Sequence, residues 1–125
     1  MTLEAQRIAI AEACGWTECI LYNVWTGCIL YNVESGKEPR GHPPKQQSCY
    51  QGYTELIPDY LSDLNAMHEA EKGLTDAQYF IYGRMITTVI LRDEGPSERK
   101  IRAISATAAQ RAEAFLRTLG KWTSP

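Results

Sequence analysis

His68-Glu69-Ala70-Glu71-Lys72 places a histidine among carboxylates at helical spacing, the raw material of a metal or acid–base site. A zinc-protease helix needs a second histidine four residues after the first, so that both imidazoles reach one metal from the same face. Lys72 occupies that position. The other histidine, His42, lies in a stretch rich in Pro and Gly, and a His42/His68 pair would need a carboxylate to complete it. No metal site is assigned. Asp59, Asp63, Glu69 and Glu71 offer carboxylates, but no nucleophile stands beside them in a pattern that defines a reaction. Gly-x-Ser-x-Gly is absent, as are the glycine patterns that cradle phosphates. The expectation is no catalytic residue, no cofactor and no enzymatic activity.

The means to hold a small, flat anion are better represented. Trp16, Trp25, Tyr50, Tyr53 and Tyr60 supply stacking faces, and Arg40, Arg99, Arg102 and Arg111 supply forked donors for phosphate. His68 follows Leu61 and Leu64 on the stripe expected to face a sheet, which would leave it half-buried beside Glu71. There it is either satisfied by Glu71 or a backbone carbonyl, or serves as a hydrogen-bonding group in a pocket wall. The candidate ligand-binding set is therefore Trp16, Arg40, Tyr53, Tyr60, His68, Arg99, Arg102 and Arg111. Single aromatics are more often core and single arginines more often solvated, so only convergence in space makes these a site.

The elements that must position these residues follow from local pattern. Thr2 is placed to cap a helix over Leu3 to Cys14, ended by Gly15, with Leu3, Arg7, Ile10 and Cys14 on one stripe. A tandem repeat follows: Cys-Ile-Leu-Tyr-Asn-Val-Trp-Thr-Gly (19–27), then Cys-Ile-Leu-Tyr-Asn-Val-Glu-Ser-Gly (28–36). Its odd period would turn equivalent side chains to opposite faces of one strand, so a hairpin turning at Trp25-Thr26-Gly27 is expected. Both faces of that hairpin are mainly apolar, which calls for cover on both sides. Ser35 to Gln47 reads as a loop, and Ser48 to Leu56 as a further short strand.

A second helix is expected over Asp59 to Lys72, with Tyr60/Leu61, Leu64, Met67/His68 and Glu71 inward. Thr75 with Gln78 forms a capping box for a third helix, with Ala77, Ile81, Met85 and Val89 as its stripe and a β-prone run at Thr87 to Leu91. Arg99 to Ile104 reads as a strand. A last helix over Ala108 to Leu119 has its own capping box, Thr107 with Gln110, and an apolar face of Ala108, Ala112, Phe115/Leu116 and Leu119. Gly120 ends it, Trp122 can fold back onto it, and Glu113 and Arg117 form a surface pair.

At 125 residues and 44% apolar composition, the chain is expected to be one domain, residues 1–125, with a true core. No apolar run approaches the roughly 20 residues of a membrane span, and the charged N-terminal stretch is unlike a signal peptide. A net charge of −2 argues against a nucleic-acid partner, whose phosphates are met by clustered Lys and Arg. Cys14, Cys19, Cys28 and Cys49 match neither a zinc nor a redox spacing and read as small buried thiols. A soluble cytosolic protein is expected.

Three segments carry a resemblance: Thr107 to Trp122, Pro58 to Lys72, and Glu12-Ala-Cys-Gly-Trp16, together close to a third of the chain. In them the chain resembles the phage ABA-sandwich domain family, small bacteriophage and prophage proteins named for a helix–sheet–helix layering and without a settled activity. The resemblance implies an α/β three-layer sandwich with a small, mainly antiparallel sheet, in a phage-encoded protein acting in the host bacterial cytoplasm. The tandem nonapeptide departs from the family pattern. By analogy with other small phage proteins, the expected role is to sequester a small nucleotide-type immune signal, as a non-enzymatic homo-oligomer that counters anti-phage defence. The rival expectations are an inhibitor that binds a host defence complex, such as a CRISPR effector, and an enzyme that degrades the same signals.

Overall fold

The structure is a computed structural model that describes residues 1–23, 37–44, 55–95 and 105–124. Helix α1 spans Leu3–Ala13, opened by the Thr2 hydroxyl, which accepts the Ala5 N–H at 3.1 Å. Gly15 takes φ +95° just beyond it, as its position implies. Strand β1, Thr17–Asn23, begins with a bulge between Thr17 and Ile20. At that bulge Glu18 has φ +52°, a left-handed conformation that costs a non-glycine residue about 1 kcal/mol. The bulge aims the Glu18 carboxylate across the ladder to His42 Nε2, 2.8 Å away.

Strand β1 pairs antiparallel with β2, Lys37–His42, in the register Ile20↔Arg40 and Tyr22↔Glu38. Strand β2 pairs antiparallel with the two-residue β3, Glu55–Leu56, giving the order β1-β2-β3. Residues 37–42 are therefore strand, where the sequence reads as loop. Pro39 is what misleads, because proline has no N–H to give a central strand. The Ile57 N–H donates to the Pro39 carbonyl at 2.9 Å, but the reciprocal bond from Pro39 to the Ile57 carbonyl is chemically impossible. The Arg7 guanidinium supplies it instead, donating to the Ile57 carbonyl and, through Nε, to the Pro58 carbonyl at 3.2 Å. Residues 19–23 are strand as expected. The Trp25-Thr26-Gly27 turn, the second nonapeptide, most of the 48–56 strand and the 99–104 strand lie outside the described residues.

Helix α2 spans Leu64–Glu71, starting later than Asp59. The Asp59 carbonyl closes a turn with the Ser62 and Asp63 amides, and Asp63 is the better cap because its carboxylate takes the Asn65 and Ala66 N–H groups. Helix α3, Asp76–Glu94, opens with the expected Thr75/Gln78 box and ends at Gly95, φ +74°. Its β-branched run stays helical, with the Thr87 and Thr88 hydroxyls bonded to carbonyls four residues back. Its buried stripe is Tyr82, Ile86, Val89 and Ile90; the expected Ala77 and Ile81 face outward instead.

Helix α4, Ala108–Thr118, opens with the second capping box and is buried almost all round, because α1, α2 and α3 all pack on it. Helix α1 in turn packs on β1 and β2. The architecture is thus mixed: four helices and a three-stranded antiparallel sheet among the described residues. No helix among them is long and apolar enough to cross a membrane.

Candidate functional site

The groups proposed from sequence fall into separate neighbourhoods. His68 and Arg111 meet at Glu71, which α2 carries into the interior at 4% exposure. Glu71 Oε1 accepts from the Tyr82 hydroxyl at 2.5 Å and from Arg111 at 3.1 Å, and Oε2 lies 3.2 Å from His68 Nδ1. Arg111 also donates to the Ala106 carbonyl at 3.4 Å. Burial pushes the Tyr82 hydroxyl well above its ordinary range, and its hydrogen bond to Glu71 adds to the rise. Arg111 titrates higher than an ordinary arginine: burial is the largest single influence and opposes its charge, but the hydrogen bonds and charge of Glu71 and Tyr82 together outweigh it. His68 has the partner expected for it, and its side chain, 48% exposed, is half-covered as expected. This network is a packed polar joint between α2, α3 and α4.

A second neighbourhood holds Trp16 and Tyr60. Tyr60 is buried, and its hydroxyl is pushed far above its usual range, first by burial and then by the nearby Cys14 and Cys19, while Arg7 and Trp16 pull the other way. Burial also raises both thiols, the Glu12 charge adding to the effect at Cys19. Arg40 lies on β2 and donates to Glu38 at 2.8 Å. Tyr53, Arg99 and Arg102 lie outside the described residues. The sequence-derived set therefore divides into a His68–Arg111 pair, a Trp16–Tyr60 pair and Arg40 on the sheet.

Convergence of the expected kind occurs elsewhere, around Trp122. Gly120, at φ +70°, turns the chain after α4 so that the indole returns onto the core. The Met1 ammonium donates to the Thr123 carbonyl at 3.1 Å, tying the two ends of the chain together beside it. Two depressions share the Trp122 ring. One, of about 270 Å³, is lined by Gln6, Arg92, Gln110 and Glu113 among others; the second, of about 290 Å³, by Met85, Arg117 and Ser124.

The electrostatics of this site centre on Glu113, whose side chain is 8% exposed. Arg92 grips it with both terminal nitrogens, Nη2 to Oε2 at 2.7 Å, and donates through Nε to Asp93 at 2.9 Å. Arg117 Nε donates to Glu113 Oε1 at 2.8 Å while its guanidinium stacks 5.3 Å from the Trp122 ring centroid. Burial alone would raise the Glu113 pKa, but the hydrogen bonds from Arg92 and Arg117 win and hold it below the ordinary carboxylate range. Arg92 is raised by the same bond from its side. The Gln110 amide donates to Asp93 at 3.2 Å and accepts the Thr107 N–H at 3.0 Å. The Glu113–Arg117 pair expected at the surface is thus anchored on a buried carboxylate that a second arginine also holds.

Chemically, the arrangement presents an aromatic face, two half-exposed guanidinium groups fixed in orientation, and the largely buried Gln6 and Gln110 side chains in the lining. Such a surface can stack a planar ring and donate to a phosphate or carboxylate. The sequence contained part of this: Glu113 and Arg117 at i,i+4, and Trp122 past the helix end. Arg92, Gln6 and Gln110 gave no signal as site residues, because the α1–α4 and α3–α4 packing that assembles them is long-range. Comparison with known proteins finds no family model, no curated protein and no solved structure that matches the chain.

Proposed function

We propose that the protein is a non-enzymatic binding protein that sequesters a small nucleotide-type signalling molecule, with the Trp122 depressions as its ligand site. The observation that carries this reading is the convergence of the Trp122 ring, Arg92, Arg117 and the Gln6 and Gln110 amides on two adjoining depressions. A base stacked on the indole contributes about 1–3 kcal/mol, and the arginines supply the anion contacts. Glu113, buried and ion-paired to Arg92 and Arg117, is held below the ordinary carboxylate range, which makes it a poor proton acceptor for catalysis and favours binding without turnover. The biological setting stays with the resemblance to phage ABA-sandwich proteins: a homo-oligomer in the host bacterial cytoplasm that counters anti-phage defence. In that setting the sheet is the middle layer, and α1 is the helical cover of one face.

Titration calorimetry with a panel of cyclic nucleotides and ADP-ribose derivatives tests the reading. One class should give heat and a thermal shift, and should be recovered chemically unaltered after the protein is heated. Trp122→Ala should weaken that binding by about tenfold. Silence across the panel, or recovery of a modified nucleotide, sinks the proposal.

A further inference from the structure

The N-terminal half of α3 leaves three consecutive large apolar side chains open to solvent, with Phe80 in the middle. Phe80 is 70% exposed, Tyr79 52% and Ile81 42%. With 3.6 residues per turn, Asp76, Ala77, Phe80, Gly83 and Arg84 follow one another along the same side of the helix. The spacing is symmetric about Phe80, with Asp76 four residues before it and Arg84 four after, Ala77 three before and Gly83 three after. A side chain added at Gly83 would meet nothing within 4 Å, so the backbone is open to close approach there. The Arg84 guanidinium already stacks on Phe80, 5.9 Å from the ring centroid.

A twofold axis through such a pattern is self-complementary. We propose that the protein forms an antiparallel homodimer through this half of α3, with Phe80 of both copies at the axis and Arg84 of each facing Asp76 of the other. Antiparallel pairing turns Asp76 and Arg84, which have opposite charges and equal offsets, into two intermolecular ion pairs. It also brings Ala77 and Gly83 to opposite sides of the contact, where their small size lets the helices approach closely. A parallel arrangement would instead set Asp76 against Asp76 and Arg84 against Arg84. Two helical turns bury well under the roughly 800 Å² per partner of a standard interface, so the dimer is weak and concentration-dependent. The inference rests on the homo-oligomer part of the proposed function and needs no ligand.

Sedimentation velocity over a concentration series from about 1 μM to about 1 mM tests it. The wild-type chain should move from monomer to dimer, and Phe80→Glu, which sets two carboxylates at the axis, should weaken association about tenfold or more. Arg84→Asp and Asp76→Arg should each remain monomeric, because each confronts like charges in its own dimer. Mixed together, the two variants should associate, since every contact is then complementary. A wild-type monomer at all concentrations overturns the proposal, as does a dimer indifferent to these substitutions. Phe80-dependent attachment of a monomer to anionic phospholipid vesicles overturns it too. An absence of ligand heat in calorimetry leaves this result untouched, so the two proposals fail separately.

Discussion

A carboxylate in a protein interior persists as an anion only where opposite charge and hydrogen bonds replace the water it lost. Glu71 has Tyr82, Arg111 and His68 around it, and Glu113 has Arg92 and Arg117. Removing one partner is worse than removing the set, because the remaining charge stays buried. Arg111→Met should therefore lower stability by about 3–5 kcal/mol in urea denaturation, whereas Arg111→Met combined with Glu71→Met should recover most of that loss. If the double variant is no more stable than the single, Glu71 is not the reason Arg111 is needed. Arg111 illustrates where sequence reading stops. Its type suggested a phosphate donor, but its partner Glu71 is 40 residues away, and nothing local distinguishes a solvated guanidinium from one enclosed among three helices.

What was legible at the level of elements was whatever four or five consecutive residues decide. The Thr75/Gln78 and Thr107/Gln110 boxes, the Thr2 cap, and Gly15 and Gly120 past the ends of α1 and α4 all sit where the pattern puts them. What was not legible depended on a distant partner. The strand at 37–42 looks like a loop because it contains proline, and Arg7, from the first helix, supplies the donor that the proline lacks. The burial of α4 on nearly every side, which hides Gln110, Arg111 and Glu113, likewise follows from three neighbours and not from its own periodicity. Arg7→Met keeps the stem but removes both donors to the Ile57 and Pro58 carbonyls. It should cost about 1–3 kcal/mol and loosen the β2–β3 contact selectively. Hydrogen exchange should show the Ile57 amide, bonded to Pro39, losing protection while α4 amides keep theirs. Uniform loss across the chain would mean that Arg7 acts through general packing instead.

For the molecule as a whole, the buried titratable groups bound the pH range in which it is stable. Glu113 titrates lower in the folded protein than the roughly 4.3 of an unfolded glutamate, because its arginine bonds overcome burial. Its contribution is complete above that unfolded value and is lost as pH falls through the folded one. Cys14, Cys19, Tyr60 and Tyr82 behave oppositely. Burial, chiefly, raises each above its unfolded value of about 8.5 for thiol or about 10 for phenol. Their contributions are complete below those values and disappear as pH rises through the folded ones, because the unfolded chain releases its protons first. The urea midpoint should therefore be level from about pH 5 to about pH 8 and fall on both sides. Glu113→Gln should lower the plateau and flatten the acid limb, and Tyr82→Phe should flatten the alkaline limb while leaving the acid one unchanged. An acid limb as steep in Glu113→Gln as in the wild type would show that the Arg92–Glu113–Arg117 cluster, and with it the rigid framing of the Trp122 depressions, contributes nothing to holding α3 and α4 together.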